Sequence, residues 1–80
     1  MRVSLGDLKP GQSGRITAIQ GGRFKKRIAE MGMSRGALVE VQRIAPLGDP
    51  IEVKIRGYCL SLRKQEAAQI EVEACREDVA

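Results

Sequence analysis

The clearest structural pattern in the sequence lies in GDPIEVKIRGYCLSL, residues 48–62. Within it, Ile51–Arg56 (IEVKIR) alternates strictly between apolar and charged residues. Because successive side chains of a strand point to opposite faces, the alternation predicts a strand with one face on a core and the other in solvent. Gly57 then permits a bend, and Tyr58–Leu62 (YCLSL) is typical of a second short strand that follows it.

Similar patterns on either side of this stretch predict three further strands, RITAIQ (Arg15–Gln20), ALVEVQRIA (Ala37–Ala45) and IEVEA (Ile70–Ala74). The segment PLGD (Pro46–Asp49) has the turn residues of a hairpin loop, while the opening SLGDLKPGQSG is read as an ordered loop. Short strands joined by tight turns favour a mainly β fold, and we expect a small, strongly bent antiparallel barrel.

Two short helices complete the expected architecture. In GRFKKRIAEMG, the apolar residues Phe24, Ile28 and Met31 recur at helical spacing, which predicts one helix of about ten residues. Gly32 follows where a C-terminal helix cap needs a positive φ. The segment RKQEAAQ (Arg63–Gln69) predicts a single helical turn.

The length of 80 residues predicts one small domain, 1–80, with an ordered part at about 4–74 and a frayed tail at 75–80. With one Phe, one Tyr and no Trp, the core is expected to be aliphatic. No apolar run has the length of a membrane span, and the chain does not open on a hydrophobic signal segment. We therefore expect a cytoplasmic protein without membrane insertion.

Positive charge is concentrated in the first half of the chain. Residues 1–40 carry eight Lys or Arg against three Asp or Glu, within a net charge of +4 for the chain. The densest cluster is RFKKR (Arg23–Arg27). Such a cluster could meet nucleic acid, anionic lipid or an acidic protein surface, and it could equally be a solvated helix face.

The composition argues against catalysis. The chain has no histidine, the commonest general base, and its GGRFKKR segment lacks the Lys-Ser/Thr ending of a phosphate-binding loop. Nothing in the sequence would activate Cys59 as a nucleophile. The chain is therefore predicted not to be an enzyme.

Metal and RNA binding each lack part of their usual signature. A zinc site needs about four Cys or His ligands, whereas this chain has only Cys59 and Cys75, which we expect to be free thiols. RNA-binding barrels combine basic residues with aromatic platforms, and two aromatic residues are a poor supply. Phosphate contacts alone remain a route to nucleic acid, but no nucleic-acid partner is expected.

Three motifs, taken in order and at their spacing, resemble the FeoA family, the small cytoplasmic proteins of bacterial ferrous iron transport. They are LGDLKPGQSGRI (Leu5–Ile16), RIAEMGMSRGALVEV (Arg27–Val41) and PLGDPIEVKIRGYCLSLRKQEAAQIEV (Pro46–Val72). Ile28 stands where the family usually has leucine. The similarity runs from about Ser4 to about Ala74 and is that of a full-length, stand-alone member.

The resemblance implies an SH3-like β-barrel and a partner, the membrane ferrous iron permease with its cytoplasmic G-protein-like domain. The implied role is to bind that permease and to support or regulate Fe²⁺ uptake. A related module ends some metal-dependent repressors, so a transition-metal-linked regulatory module is the alternative, followed by an RNA-binding barrel. Because the ligand spacing does not support Fe²⁺ or Zn²⁺ binding, no cofactor is expected.

Two surfaces are candidates for the partner contact. The first is the hairpin tip Leu47, Gly48 and Asp49 with the nearby Arg56 and Tyr58. Leu47 would be an apolar residue exposed on a turn, and tyrosine is enriched in interface hot spots. Tyr58 could equally fill the end of the barrel.

The second candidate surface is the basic helix, represented by Arg23, Lys26 and Arg27. Next to a membrane permease, this helix could also sense anionic lipid, although such a short segment would be a weak anchor. A weak homo-oligomer is a further candidate assembly.

Overall fold

The structure, a computed structural model, describes residues 2–20 and 22–75, apart from the side chains of Arg23 and Phe24. Of the tail predicted to fray, 75–80, only Cys75 is described, and its N–H donates to the Ser13 carbonyl at 2.9 Å. The rest of that tail, the core position of Phe24 and the partner contact of Arg23 lie outside this description. The elements in chain order are β1 (Arg2–Ser4), a 3₁₀ helix (Leu5–Asp7), β2 (Ser13–Ile19), α1 (Gly22–Glu30), β3 (Leu38–Ile44), β4 (Ile51–Ile55), β5 (Tyr58–Leu62), α2 (Lys64–Ala67) and β6 (Ile70–Ala74). No helix in the described ranges is both long enough and apolar enough to cross a membrane.

The strands form one antiparallel sheet in the order β1-β6-β2-β3-β4-β5, which confirms the predicted mainly β, antiparallel class. One strand, β1, was not predicted, because it forms only by pairing with the far end of the chain, with Arg2 opposite Glu73. Strand pairing does not close the sheet in the described part of the chain, where β1 and β5 are its two edges. The architecture is therefore a curved open sheet wrapped around a core.

The core lies on the inner face of this sheet, and its described residues are aliphatic, as predicted. The alternation in β4 is confirmed, since Ile51, Val53 and Ile55 are each at most 2% exposed while Lys54 is exposed. The buried apolar residues are Leu5, Leu8, Ile16, Ile28, Met33, Ala37, Val39, Val41, Ile51, Val53, Ile55, Leu62, Ala67, Ile70 and Val72.

Strand β2 lies between β3 and β6, and its pairing with β3 stops partway along its length. Its first residues pair with β3, ending with Arg15 opposite Leu38, and it pairs with β6 as far as Ile19. The β3 side continues only through backbone hydrogen bonds of Ile16 with Gly36 and Ala37. A β-bulge between Ile16 and Ala18 accompanies this change. The last residues of β2 therefore have a strand neighbour on one side only.

Helix α1 ends in a Schellman motif, as Gly32 predicts. The Met33 N–H donates to the Ile28 carbonyl at 3.3 Å, and the Gly32 N–H donates to the Ala29 carbonyl at 3.0 Å. Gly32 has φ +87°, the left-handed conformation that this cap requires. Ile28 and Met33 are both fully buried, so the turn after α1 is held in the core.

Candidate protein-binding surface

The β3–β4 hairpin presents its tip to solvent. Leu47 is 94% exposed, as expected for an apolar residue on a turn, and the turn continues through Gly48. Asp49 is tied to the start of α2: its Oδ1 accepts a hydrogen bond from the Lys64 N–H at 3.1 Å and lies 3.9 Å from Nη1 of Arg63. At this tip, Leu47 is thus the side chain that is available for a partner.

Arg56 and Tyr58 both reach the turn that follows α1. The Tyr58 hydroxyl donates to the Met31 carbonyl at 2.7 Å, and Arg56 Nε donates to the Gly32 carbonyl at 3.1 Å. Arg56 Nη2 also donates to Ser34 Oγ at 3.0 Å. Both side chains are exposed, Tyr58 by 44%, so it does not fill the end of the barrel. Their role within this fold is to attach the β4–β5 turn to the end of α1, and a partner contact remains a prediction.

The basic cluster on α1 divides into side chains with different roles. Lys25 and Lys26 are exposed. Arg27, although 64% of its side chain is exposed, places Nη1 3.2 Å from Oε2 of the buried Glu66. The structure therefore leaves Lys26 free to act as predicted, while Arg27 is engaged with α2.

Glu66 is a buried carboxylate that the sequence analysis missed. Its side chain is 1% exposed, and Oε1 accepts a hydrogen bond from the Arg63 N–H at 2.8 Å. Among the described residues, Oε2 has no hydrogen-bond partner, and Arg27 is the one cation within ion-pair range of it. The sequence did contain a signal for this interaction, because Glu66 lies three residues after Arg63. An acidic residue at that position of a helix commonly accepts a hydrogen bond from the backbone N–H of the residue that precedes the helix.

Leu38 is a second exposed leucine, 46% exposed, on the outer face of β3. It lines a groove of about 500 Å³ together with Lys54 and Arg56. The exposure of Leu38 could have been predicted from the sequence. Side chains alternate along a strand, so Leu38 points outward when Val39 and Val41 point inward. This outer face is therefore an alternative to the hairpin tip.

The described residues contain no preassembled metal site. Cys59 is exposed, Cys75 is half-buried, and both are free. Within residues 2–20 and 22–75, no group of three or more His, Cys, Asp or Glu side chains is placed to hold an ion.

A family model described as the FeoA domain matches residues 3–74. A similar curated protein is the "Fe(2+) transport protein A/Fe(2+) transporter FeoB fusion protein" of Porphyromonas gingivalis, which is 44% identical over 72 residues. The match covers 89% of this chain and 8% of that protein, so this chain spans less than a tenth of its relative.

Solved structures with the same architecture include the FeoA-like protein from Clostridium acetobutylicum, with a TM-score of 0.85 and 36% identity over 90% of this chain and 85% of that one. Another is Stenotrophomonas maltophilia FeoA complexed with zinc, with a TM-score of 0.79 and 24% identity over 89% of each chain. That protein is described as a procaryotic SH3 domain protein, and the likeness to it shows the fold alone. The predicted SH3-like architecture is thereby confirmed.

Proposed function

This chain belongs to the FeoA family, and from that premise we propose that it is an accessory protein of ferrous iron uptake that docks on the iron permease. The contact would be with the permease's cytoplasmic G-protein-like domain, which places this chain in the cytoplasm. It would support or regulate transport, with Fe²⁺ as the cargo of the permease.

The observation that carries the proposal is the Porphyromonas gingivalis fusion, in which a segment 44% identical to this chain is part of the same polypeptide as a ferrous iron transporter. Covalent linkage raises the effective concentration of two modules to about the millimolar range, so even a weak contact becomes populated. When two modules are fused in one protein, their counterparts that are encoded as separate chains are expected to bind each other.

The surface chemistry supports docking. The chain exposes Leu38 on the outer face of β3 and Leu47 at the tip of the β3–β4 hairpin. SH3-type domains bind partners on preformed surfaces with little backbone change.

The direct test is association with the permease's purified cytoplasmic domain, measured by calorimetry with and without guanine nucleotide. We expect binding in the micromolar range, as is common for small transient interfaces. Absence of binding at tens of micromolar in both nucleotide conditions would contradict the proposal.

Leu47→Asp is expected to weaken this binding about tenfold or more, because an exposed apolar anchor becomes a charge at the tip. The folded state should be unaffected, since Leu47 is 94% exposed. Leu38→Asp makes the same chemical change on the outer face of β3 and serves as the matched control. If Leu38→Asp weakens binding and Leu47→Asp does not, the contact lies on the outer face instead of the hairpin tip.

A further inference from the structure

A cleft of about 500 Å³ lies between α1, the end of β2 and the turn after α1, and we call it the α1–β2 cleft. Its floor is apolar, formed by Ile16, Ala18, Ile19 and Met33. Ile16 and Met33 belong to the buried core, while Ala18 and Ile19 are half-buried. The cleft therefore opens directly onto the hydrophobic core.

Among the described residues, two neighbouring elements leave the cleft uncovered. Beyond Ile16, β2 has no β3 strand beside it, so the sheet does not extend over this edge. On the other side, α1 contributes Ala29, whose side chain is a single methyl group and is exposed. Lys25 lies one helical turn before Ala29 on the same face of α1, at the rim of the cleft.

The rim is positively charged. Lys25 stands on the helix side and Arg35 on the loop side, and no Asp or Glu is among the described residues that line the cleft. Arg35 Nε donates to the Thr17 carbonyl at 3.0 Å, which holds its guanidinium at the edge of β2. Its two Nη nitrogens have no hydrogen-bond or ion-pair partner among the described residues, and neither has the Lys25 ammonium.

We propose that the α1–β2 cleft binds a protein segment in which a branched apolar side chain is flanked by carboxylates. The apolar side chain would cover the floor, because removal of apolar area from water is favourable. The carboxylates would pair with Lys25 and with the free Nη pair of Arg35, whose planar geometry suits a carboxylate. The inference rests on the proposed function because the segment is expected to belong to the permease's cytoplasmic domain.

A defined probe tests the chemistry of the cleft without the permease. The probe is a blocked peptide with a central leucine flanked by two aspartates on each side, titrated into ¹⁵N-labelled protein. We expect amide shifts at Ala18, Ala29 and Ser34, and about tenfold weaker binding of the matched peptide with asparagines in place of the aspartates. Shifts confined to other surfaces, or equal binding of the two peptides, would overturn the inference.

Two variants test the same cleft against the permease domain. Ala29→Leu fills the cleft with a residue of nearly equal helix propensity, and Lys25→Glu reverses the charge at its rim. Each is expected to weaken binding about tenfold, whereas Lys9→Glu, the same charge change on an exposed loop residue, is expected to change it less than about twofold. Thermal unfolding of each variant checks that the fold is retained.

The two hypotheses fail in different ways. If the permease domain binds the Ala29→Leu and Lys25→Glu variants as tightly as it binds the wild-type protein, the cleft inference is overturned and the proposed function stands. If the permease domain does not bind but the aspartate peptide still maps to the cleft, the proposed function fails while the binding chemistry of the cleft is supported. If anionic vesicles bind at the cleft in preference to the peptide, the inference of a protein segment is overturned, and the ligand of the cleft is a lipid surface.

Discussion

Replacing Arg27 with alanine is expected to destabilise the protein by about 2 kcal/mol, although 64% of the arginine side chain is exposed. The reason lies in its partner, because Glu66 is 1% exposed and Arg27 is the one cation in ion-pair range of its Oε2 within residues 2–20 and 22–75. Removing Arg27 leaves a buried carboxylate whose one hydrogen bond within those ranges comes from the Arg63 N–H. Urea denaturation followed by far-ultraviolet circular dichroism measures the loss, since the chain has no tryptophan.

Lys26→Ala is the matched control, since Lys26 is the adjacent exposed cation of α1, and it is expected to cost less than about 0.5 kcal/mol. The double variant Arg27→Ala with Glu66→Gln should be more stable than Arg27→Ala alone, because a neutral amide is less costly to bury than an unpaired charge. Equal losses for Arg27→Ala and Lys26→Ala would show that the ion pair contributes nothing.

Gly32→Ala is expected to cost about 2–3 kcal/mol, from two separate causes. The left-handed conformation of Gly32, at φ +87°, is strained for any residue with a Cβ. In addition, a Cβ at this position would lie 2.6 Å from Tyr58 Oη, so the tyrosine must move and lose its 2.7 Å hydrogen bond to the Met31 carbonyl. The midpoint of urea denaturation reports the sum.

Gly36→Ala separates the two causes. Gly36 has φ +89°, but no atom lies within 4 Å of the position that a Cβ would take. It should therefore show the backbone strain alone, about 1–2 kcal/mol. In a Tyr58→Ala background, the cost of Gly32→Ala is expected to fall to that of Gly36→Ala. If Gly32→Ala and Gly36→Ala cost the same in the wild-type background, Tyr58 does not occupy the place next to Gly32.

The elements with a local pattern were predictable. The alternation of Ile51–Arg56 predicts β4, and the spacing of Ile28, Met31 and Gly32 predicts the course and end of α1. Strand β1 has no such signal, because its three residues become a strand only by pairing with β6. Its existence depends on contacts between opposite ends of the sequence, which a local pattern cannot show.

The candidate surface was less predictable for the same reason. Leu47 is exposed as expected, whereas Arg56 and Tyr58 bind carbonyl groups that lie more than twenty positions earlier in the chain. Glu66 was missed because charged residues are rarely buried, and its burial depends on Arg27 from another helix. The α1–β2 cleft depends on where β3 stops pairing with β2, which no residue spacing encodes.

The pairing of β1 with β6 also bears on how such a domain is joined to other modules. Arg2 lies opposite Glu73, so a polypeptide entering the domain and one leaving it pass side by side at the same edge of the sheet. A neighbouring module could be attached ahead of the domain or behind it and would start from nearly the same point. A gene fusion in either order would therefore attach the second module beside the same pair of strands.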